Sequence, residues 1–129
     1  LIQKRENKKK IFFPNFWGVF GGSLMKRESP KEAIIRELKE ELNLSFKEPI
    51  QILKLNISSK NFKPTRQRTF FICKPKNFPK NLKIYEGQDY ALLSFFKIKK
   101  LRLVPWDFSA ISYHHYNTIK KLQILPKKK

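Results

Sequence analysis

One segment of this 129-residue chain specifies its own secondary structure at both ends, and it also carries half of the chain's negative charge. Ser29-Pro30-Lys31-Glu32 places serine at an N-cap, proline at the first helical position and glutamate where it closes a capping box. Asn43 stands where a helix accepts a left-handed C-terminal residue. These signals predict a helix from about Pro30 to Leu42. Five of the ten carboxylates, Glu28, Glu32, Glu37, Glu40 and Glu41, fall between positions 28 and 41, while the rest of the chain is strongly basic. At ~100° per residue, Glu37, Glu40 and Glu41 share one arc with Ala33 among them, bordering the apolar face of Ile34, Ile35, Leu38 and Leu42. Arg36, Lys39 and Glu32 project to the far side.

Such crowding is costly, because like charges at i,i+3 and i,i+4 destabilise a helix by about 0.2–0.5 kcal/mol per pair. Two readings follow. Carboxylate oxygens are hard donors, and Mg²⁺ takes one or two of them together with water and substrate phosphate, so the face reads as a platform for a divalent ion. Alternatively it is a solvated face whose repulsion Arg36 relieves by pairing with Glu32 and Glu40. Gly21-Gly22, just upstream, frees the backbone to approach a ligand, and Glu28 adds a carboxylate near the first turn.

Around this helix the chain reads as strands. Leu1–Arg5 reads as the end of a strand, which suggests that an N-terminal piece is missing. Trp17–Phe20, Ile50–Ile57, Thr69–Cys73 and Tyr90–Leu93 are strand candidates, and a short helical turn is expected within Ser94–Leu101. Pro105 and Asp107 open a second helix, about Phe108 to Leu122, with Phe108, Ile111, His115, Ile119 and Leu122 on one stripe. Residues 126–129 form a basic tail beyond a single domain spanning 1–125. Strands on both sides of a helix, with another helix at the end, predict an α/β fold in which a mixed sheet packs between helices.

Composition narrows the setting. Cys73 is the only cysteine, which excludes an internal disulfide and fits a reducing, cytoplasmic compartment. No apolar run approaches the ~18 residues of a membrane span. The formal charge of +19 would attract polyanions such as nucleotides, nucleic acid or anionic lipid. Lysine far outnumbers arginine, and Ile, Asn and Phe are abundant, as AT-rich coding would produce; that origin is preferred here to nucleic-acid binding. In the second helix, adjacent His114 and His115 point about 100° apart, which favours a partly buried His115 and a surface His114 over a shared metal. Cys73, within an apolar strand, reads as core.

Gly22-x5-Glu28-x7-Arg36-Glu37-Leu38-x-Glu40-Glu41-x-Asn43-Leu44 resembles the Nudix box, G-x5-E-x7-R-E-U-x-E-E-x-G-U with U aliphatic, of the Nudix hydrolase superfamily. Every defined position matches except Asn43, where the family has glycine; asparagine tolerates the same backbone conformation. Leu1–Arg5 is similar to the strand preceding the box in MutT-like members. Asn15–Gly22 is similar to their Trp then Pro-Gly-Gly run, with Phe20 in place of proline. Glu86–Leu101 is similar to the segment before the last helix. The resemblance implies a Nudix-type α/β/α sandwich, with a usual strand ahead of Leu1 expected to be absent.

It also implies Mg²⁺- or Mn²⁺-dependent hydrolysis of a diphosphate linked to another moiety, by attack of water on phosphorus. Carried over, Glu40 and Glu41 would be the principal metal ligands, and Glu37 a further ligand or the general base. Arg36 would position Glu37, Glu28 would support the metal, and Gly22 would give room to the turn and offer its carbonyl. Beyond the box, Glu86 is a candidate for an extra base or ligand, with an ordinary turn acid as the alternative. Phe12, Phe13, Phe16 and Trp17 could stack a nucleobase or simply pack; Phe16 and Trp17 are retained as substrate candidates. Lys26 and Arg27 could receive phosphates. The expected substrate is a nucleoside triphosphate or related nucleotide, yielding monophosphate and pyrophosphate, with oxidised deoxynucleotides as the specific candidate. Nucleotide sugars, dinucleoside polyphosphates and the 5′ pyrophosphate of RNA keep the same chemistry. The rival is a non-catalytic nucleotide or RNA sensor, which could dispense with the glutamates this chain retains.

Overall fold

The computed structural model describes residues 1–60 and 62–124, so the basic tail expected at 126–129 lies outside the described residues. Helix α1 spans Pro30–Leu42, the bounds its end signals predict. The Ser29 hydroxyl accepts from the Glu32 backbone N–H at 3.2 Å, and the Glu32 carboxylate accepts from the Ser29 N–H at 2.8 Å. At the other end Asn43 turns left-handed (φ 49°), and its N–H donates to the Lys39 carbonyl at 2.9 Å. Both termini are thus closed by the residues that announce them, which fixes where the glutamates fall on the helix.

Three short strands, β1 (Ile2–Lys4), β2 (Trp17–Gly18) and β5 (Asp89–Ala91), form one sheet in the order β2-β1-β5. Both ladders are antiparallel, and Trp17 also bridges Leu103 in parallel, which makes the sheet mixed. Ile2 and Gln3 are consecutive in β1 and point to opposite faces. Their exposures are 1% and 8%, so the central strand is covered on both sides. Leu38 and Leu42 of α1 form a core with Phe20 and Leu82, and Leu1, Ile34, Cys73 and Tyr90 pack around it. Each leucine side chain buried this fully is worth roughly 1.5–3 kcal/mol. This is the expected α/β architecture.

A second, two-stranded antiparallel sheet joins β3 (Ile50–Ser59) to β4 (Phe62–Ile72). It is longer than the Ile50–Ile57 and Thr69–Cys73 expected. Pro64 falls where the ladder is irregular, between the Ile57–Arg66 and Ser59–Phe62 pairs, and there a missing N–H is tolerated. The hairpin is tied to the end of α1 by bonds from Lys47 N–H to the Lys74 carbonyl (2.8 Å) and from Lys76 N–H to the Ser45 carbonyl (3.0 Å).

Helix α2 (Phe95–Ile98) is the short turn expected in that region, and it packs on α3 (Pro105–Ile124). Helix α3 begins three residues before the expected Phe108, because proline is acceptable in a first turn and the Val104 carbonyl accepts the Phe108 N–H at 3.0 Å. Of the expected stripe, Ile111, His115 and Ile119 are half-buried, and Phe108 departs from it. Phe108 is exposed, whereas Asp107 and Ala110 are buried, since a buried carboxylate broke the apolar periodicity. His115 is half-buried, stacked on Phe95 with ring centroids 3.9 Å apart, and His114 is exposed, as anticipated. The Leu122 side chain lies outside the described part. No helix among the described residues is long and apolar enough to cross a membrane.

Candidate active site

Arg36 is the hub of the acidic cluster. Its Nε and Nη2 donate to the two oxygens of Glu28 at 2.7 and 2.9 Å, and Nη1 donates to Glu37 Oε1 at 2.8 Å and to Glu40 Oε2 at 3.3 Å. Nη2 also donates to the Ser23 carbonyl at 3.1 Å, which ties the Gly22-Ser23 loop to α1. The projection that set Arg36 on the far side of the helix is therefore corrected. The long side chain sweeps toward the helix N-terminus and around to the glutamates, a reach that Cα positions do not capture. Nor does it pair with Glu32, whose carboxylate is held by the cap. The Arg36 guanidinium, and then the Met25 N–H at 2.8 Å, hold the Glu28 carboxyl down at about 2. Glu28 and then Glu37 raise the Arg36 pKa in turn.

Glu41 lies on the inner side of the same face and is only 4% exposed. Its Oε2 accepts from the Gly21 N–H at 3.1 Å. Burial lifts its carboxyl to about 7; the nearby charges of Glu37 and Glu86 add to the rise, while the bonds from Gly21 and Gln3 oppose it. Gly22 closes the cluster from above. A Cβ on Gly22 would collide with the Glu37 carboxylate, so only glycine lets the backbone lie against it.

These donors fit a hard dication: four carboxylates, three of them already drawn to one cation, with a glycine cradle that keeps Glu37 close to the backbone. Among the described residues no three carboxylates converge as a ready-made cage. The guanidinium stands between Glu28, Glu37 and Glu40 instead, so an ion would share those oxygens with Arg36.

The other candidates are distributed around this cluster. Glu86 is exposed on a loop docked to α1 through the Tyr85 N–H to Glu41 carbonyl bond (2.9 Å), close enough for its charge to act on Glu41. Trp17 sits in β2, its N–H donating to the Arg102 carbonyl at 2.8 Å. Phe16 packs edge-on to Phe13, with the Arg102 guanidinium 4.6 Å above its ring. Lys26 and Arg27 are exposed on the loop before α1. Cys73 packs against the core, where burial pushes its thiol pKa up, away from nucleophilic use.

Asp107, read from sequence only as a helix-opening residue, is a buried carboxyl beside the sheet. Only 8% exposed, it accepts the Val19 N–H at 3.0 Å, and burial lifts its carboxyl to about 6. A Cβ on Gly18 would lie 2.6 Å from its Oδ2. Gly18 pairs with Gln3 across the ladder, and cross-strand partners project to the same face. The two buried carboxyls, Glu41 beside Gln3 and Asp107 beside Gly18, therefore flank one face of the sheet. Gly18 was the available signal: a glycine in a strand marks close approach by another group.

The family model for the NUDIX domain matches residues 1–116. Among solved structures, the chain is similar to the MutT protein from Methanosarcina mazei Go1, with a TM-score of 0.67 and 19% identity over 93% of this chain and 83% of that one. It is also similar to the ORF135 protein of E. coli, with a TM-score of 0.62 and 17% identity over 99% and 84% of the two chains. At these identities the likeness is one of fold. None of the curated proteins matches the chain.

Proposed function

The chain belongs to the NUDIX domain family and is MutT-like in fold, and from that premise we propose that it is a Mg²⁺- or Mn²⁺-dependent diphosphohydrolase of nucleoside triphosphates or other nucleoside diphosphate derivatives. Members of the family are hydrolases of pyrophosphate bonds. The observation that carries the reading is the gathering of Glu28, Glu37 and Glu40 around a single cation, with Glu41 beside them held by the Gly21 N–H.

In this reading Glu37, Glu40, Glu41 and Glu28, with the Gly22 carbonyl, hold the metal. When bound, the ion neutralises phosphate charge and lowers the pKa of coordinated water. Arg36 is the positioning residue: Nη1 holds Glu37 Oε1, which leaves Oε2 to take a proton from the attacking water. Its bidentate grip on Glu28 keeps the loop before α1 folded back over the helix. Glu86 supplies further negative charge near Glu41, and Phe16 and Trp17 remain candidates for contact with the substrate base. The lone Cys73 fits a cytoplasmic setting.

A phosphate-release screen tests the proposal, with nucleoside triphosphates, nucleotide sugars, dinucleoside polyphosphates and 5′-triphosphorylated RNA as substrates and Mg²⁺ or Mn²⁺ as the ion. Turnover that requires the ion and is lost in Glu41→Gln is expected. Nucleotide binding without ion-dependent phosphate release would reassign the chain as a non-catalytic binding module.

A further inference from the structure

Three polar side chains are buried among the described residues, Gln3, Glu41 and Asp107, and hydrogen bonds join them into one line. Asp107 Oδ2 accepts from the Val19 N–H at 3.0 Å. The carbonyl of the same Val19 accepts from Gln3 Nε2 at 3.4 Å. The Gln3 side chain also bonds the Glu41 carboxylate, whose Oε2 accepts from the Gly21 N–H at 3.1 Å. Both of these partners of the Gln3 amide are acceptors, so its NH₂ end faces them. The amide has little freedom. Gln3 pairs with Gly18 on one side and Tyr90 on the other, in the middle strand of its sheet. A Cβ on Gly87 (φ 87°) would lie 2.8 Å from Gln3 Oε1, so the loop after Glu86 closes on the other end of the amide.

An aliphatic side chain is the ordinary occupant of such a place, as Ile2 is on the opposite face of β1, because a buried amide is costly unless it is bonded. What the amide touches accounts for it. Arg36 draws Glu28, Glu37 and Glu40 together on the outer side of the acidic cluster. Glu41 lies on the inner side, and there the Gly21 N–H and the Gln3 amide hold it. Two donors from different segments fix the rotation of a carboxylate, which a single donor leaves free. We propose that Gln3 is a positioning residue of the acidic site: its amide holds Glu41 in the place and rotation in which it takes the divalent ion, an assignment that rests on the diphosphohydrolase reading. A hydrogen-bonded partner behind a ligating carboxylate governs how tightly the ion is held. Gln3 acts through Glu41, and the Val19 carbonyl, in a segment pinned by Asp107, keeps the amide aimed.

The test uses the full chain and Mn²⁺ alone as the probe, with free Mn²⁺ read by electron paramagnetic resonance, so no substrate is needed. Gln3→Met keeps the length of the side chain and removes the amide; it is expected to weaken Mn²⁺ binding by about tenfold, the scale of losing a partner of a ligating group. Gln3→Leu, a second apolar variant, should lose the same factor, with a melt confirming that each variant folds. Ser29→Ala loosens α1 at its other end and should bind Mn²⁺ as the parent does, which separates lost stability from lost position. In EDTA, amide exchange at Gly21 should quicken several-fold in Gln3→Met, because the carboxylate that accepts its N–H is freer, while amides inside α1 exchange as in the parent. Equal Mn²⁺ affinity in the parent and both Gln3 variants, a loss matched by Ser29→Ala, or unchanged exchange at Gly21 would each overturn the role of Gln3 and leave the hydrolase reading standing. No Mn²⁺ uptake by the parent would overturn both.

Discussion

Glu41→Gln separates what the acidic cluster costs from what it does. In the folded chain the Glu41 carboxyl is lifted from 4.5 to about 7, chiefly by burial. Because the folded value lies above the unfolded one, the fold is favoured fully below pH 4.5 and loses that contribution as pH rises through 7. At about 1.4 kcal/mol per pH unit, ionising this buried group costs at most about 3 kcal/mol at pH 8, and under about 1 kcal/mol at pH 5. Glutamine keeps an oxygen for the Gly21 N–H and never ionises. Without metal, the variant should therefore be more stable than the parent by up to about 3 kcal/mol at pH 8, or roughly 10 °C in Tm, with the gap closing toward pH 5. Urea denaturation in EDTA from pH 5 to 8.5 measures this directly. The same substitution should lower metal-dependent kcat by about a hundredfold or more, the scale of losing a group that stabilises the transition state. A gap between parent and variant that does not change with pH would refute the reasoning, because it would mean that burial does not set the Glu41 carboxyl.

Four other substitutions, two of them combined, test separate parts of the structure. Gly22→Ala should displace Glu37 and cut kcat by about tenfold or more, with Tm nearly unchanged because the carboxylate can swing aside, read by steady-state kinetics beside a melt. Ser29→Ala removes one half of the capping box and should cost about 1 kcal/mol in urea denaturation, with kcat within about twofold of the parent. Gly18→Ala drives a methyl to 2.6 Å from Asp107 and should destabilise by about 1–3 kcal/mol; Gly18→Ala combined with Asp107→Ala should recover part of that loss if the clash is its cause.

Helix α1 was legible to the residue because both of its ends are governed by local chemistry, a cap and a left-handed asparagine, and local chemistry is written in sequence. The carboxylate cluster was legible as composition and spacing. What was hidden was the route of the Arg36 side chain, which depends on where the loop from Ser23 to Glu28 folds back, a tertiary fact. Glu41 and Asp107 were hidden for a related reason: a carboxylate normally signals solvent, so periodicity alone does not suggest that either is buried. In α3 the buried Asp107 takes the inward place that periodicity gave to Phe108, while Ile111, His115 and Ile119 stay half-buried on the expected stripe. The β3–β4 hairpin was underestimated because much of its sequence is polar and, among the described residues, its two strands pair with each other alone.

Arg36 also shows why the metal platform and the ion-paired face are not rivals. One guanidinium meets Glu28, Glu37 and Glu40, so by formal charge the trio with its arginine carries an excess of two negatives, and ionising Glu41 beside them makes three. A monovalent side chain can organise that set but cannot balance it. On the Gly22 side the Glu37 carboxylate lies where a Cβ at position 22 would collide with it. Arginine therefore holds the acids in place and leaves two negative charges uncancelled, or three once Glu41 ionises, an excess that a divalent ion would largely offset.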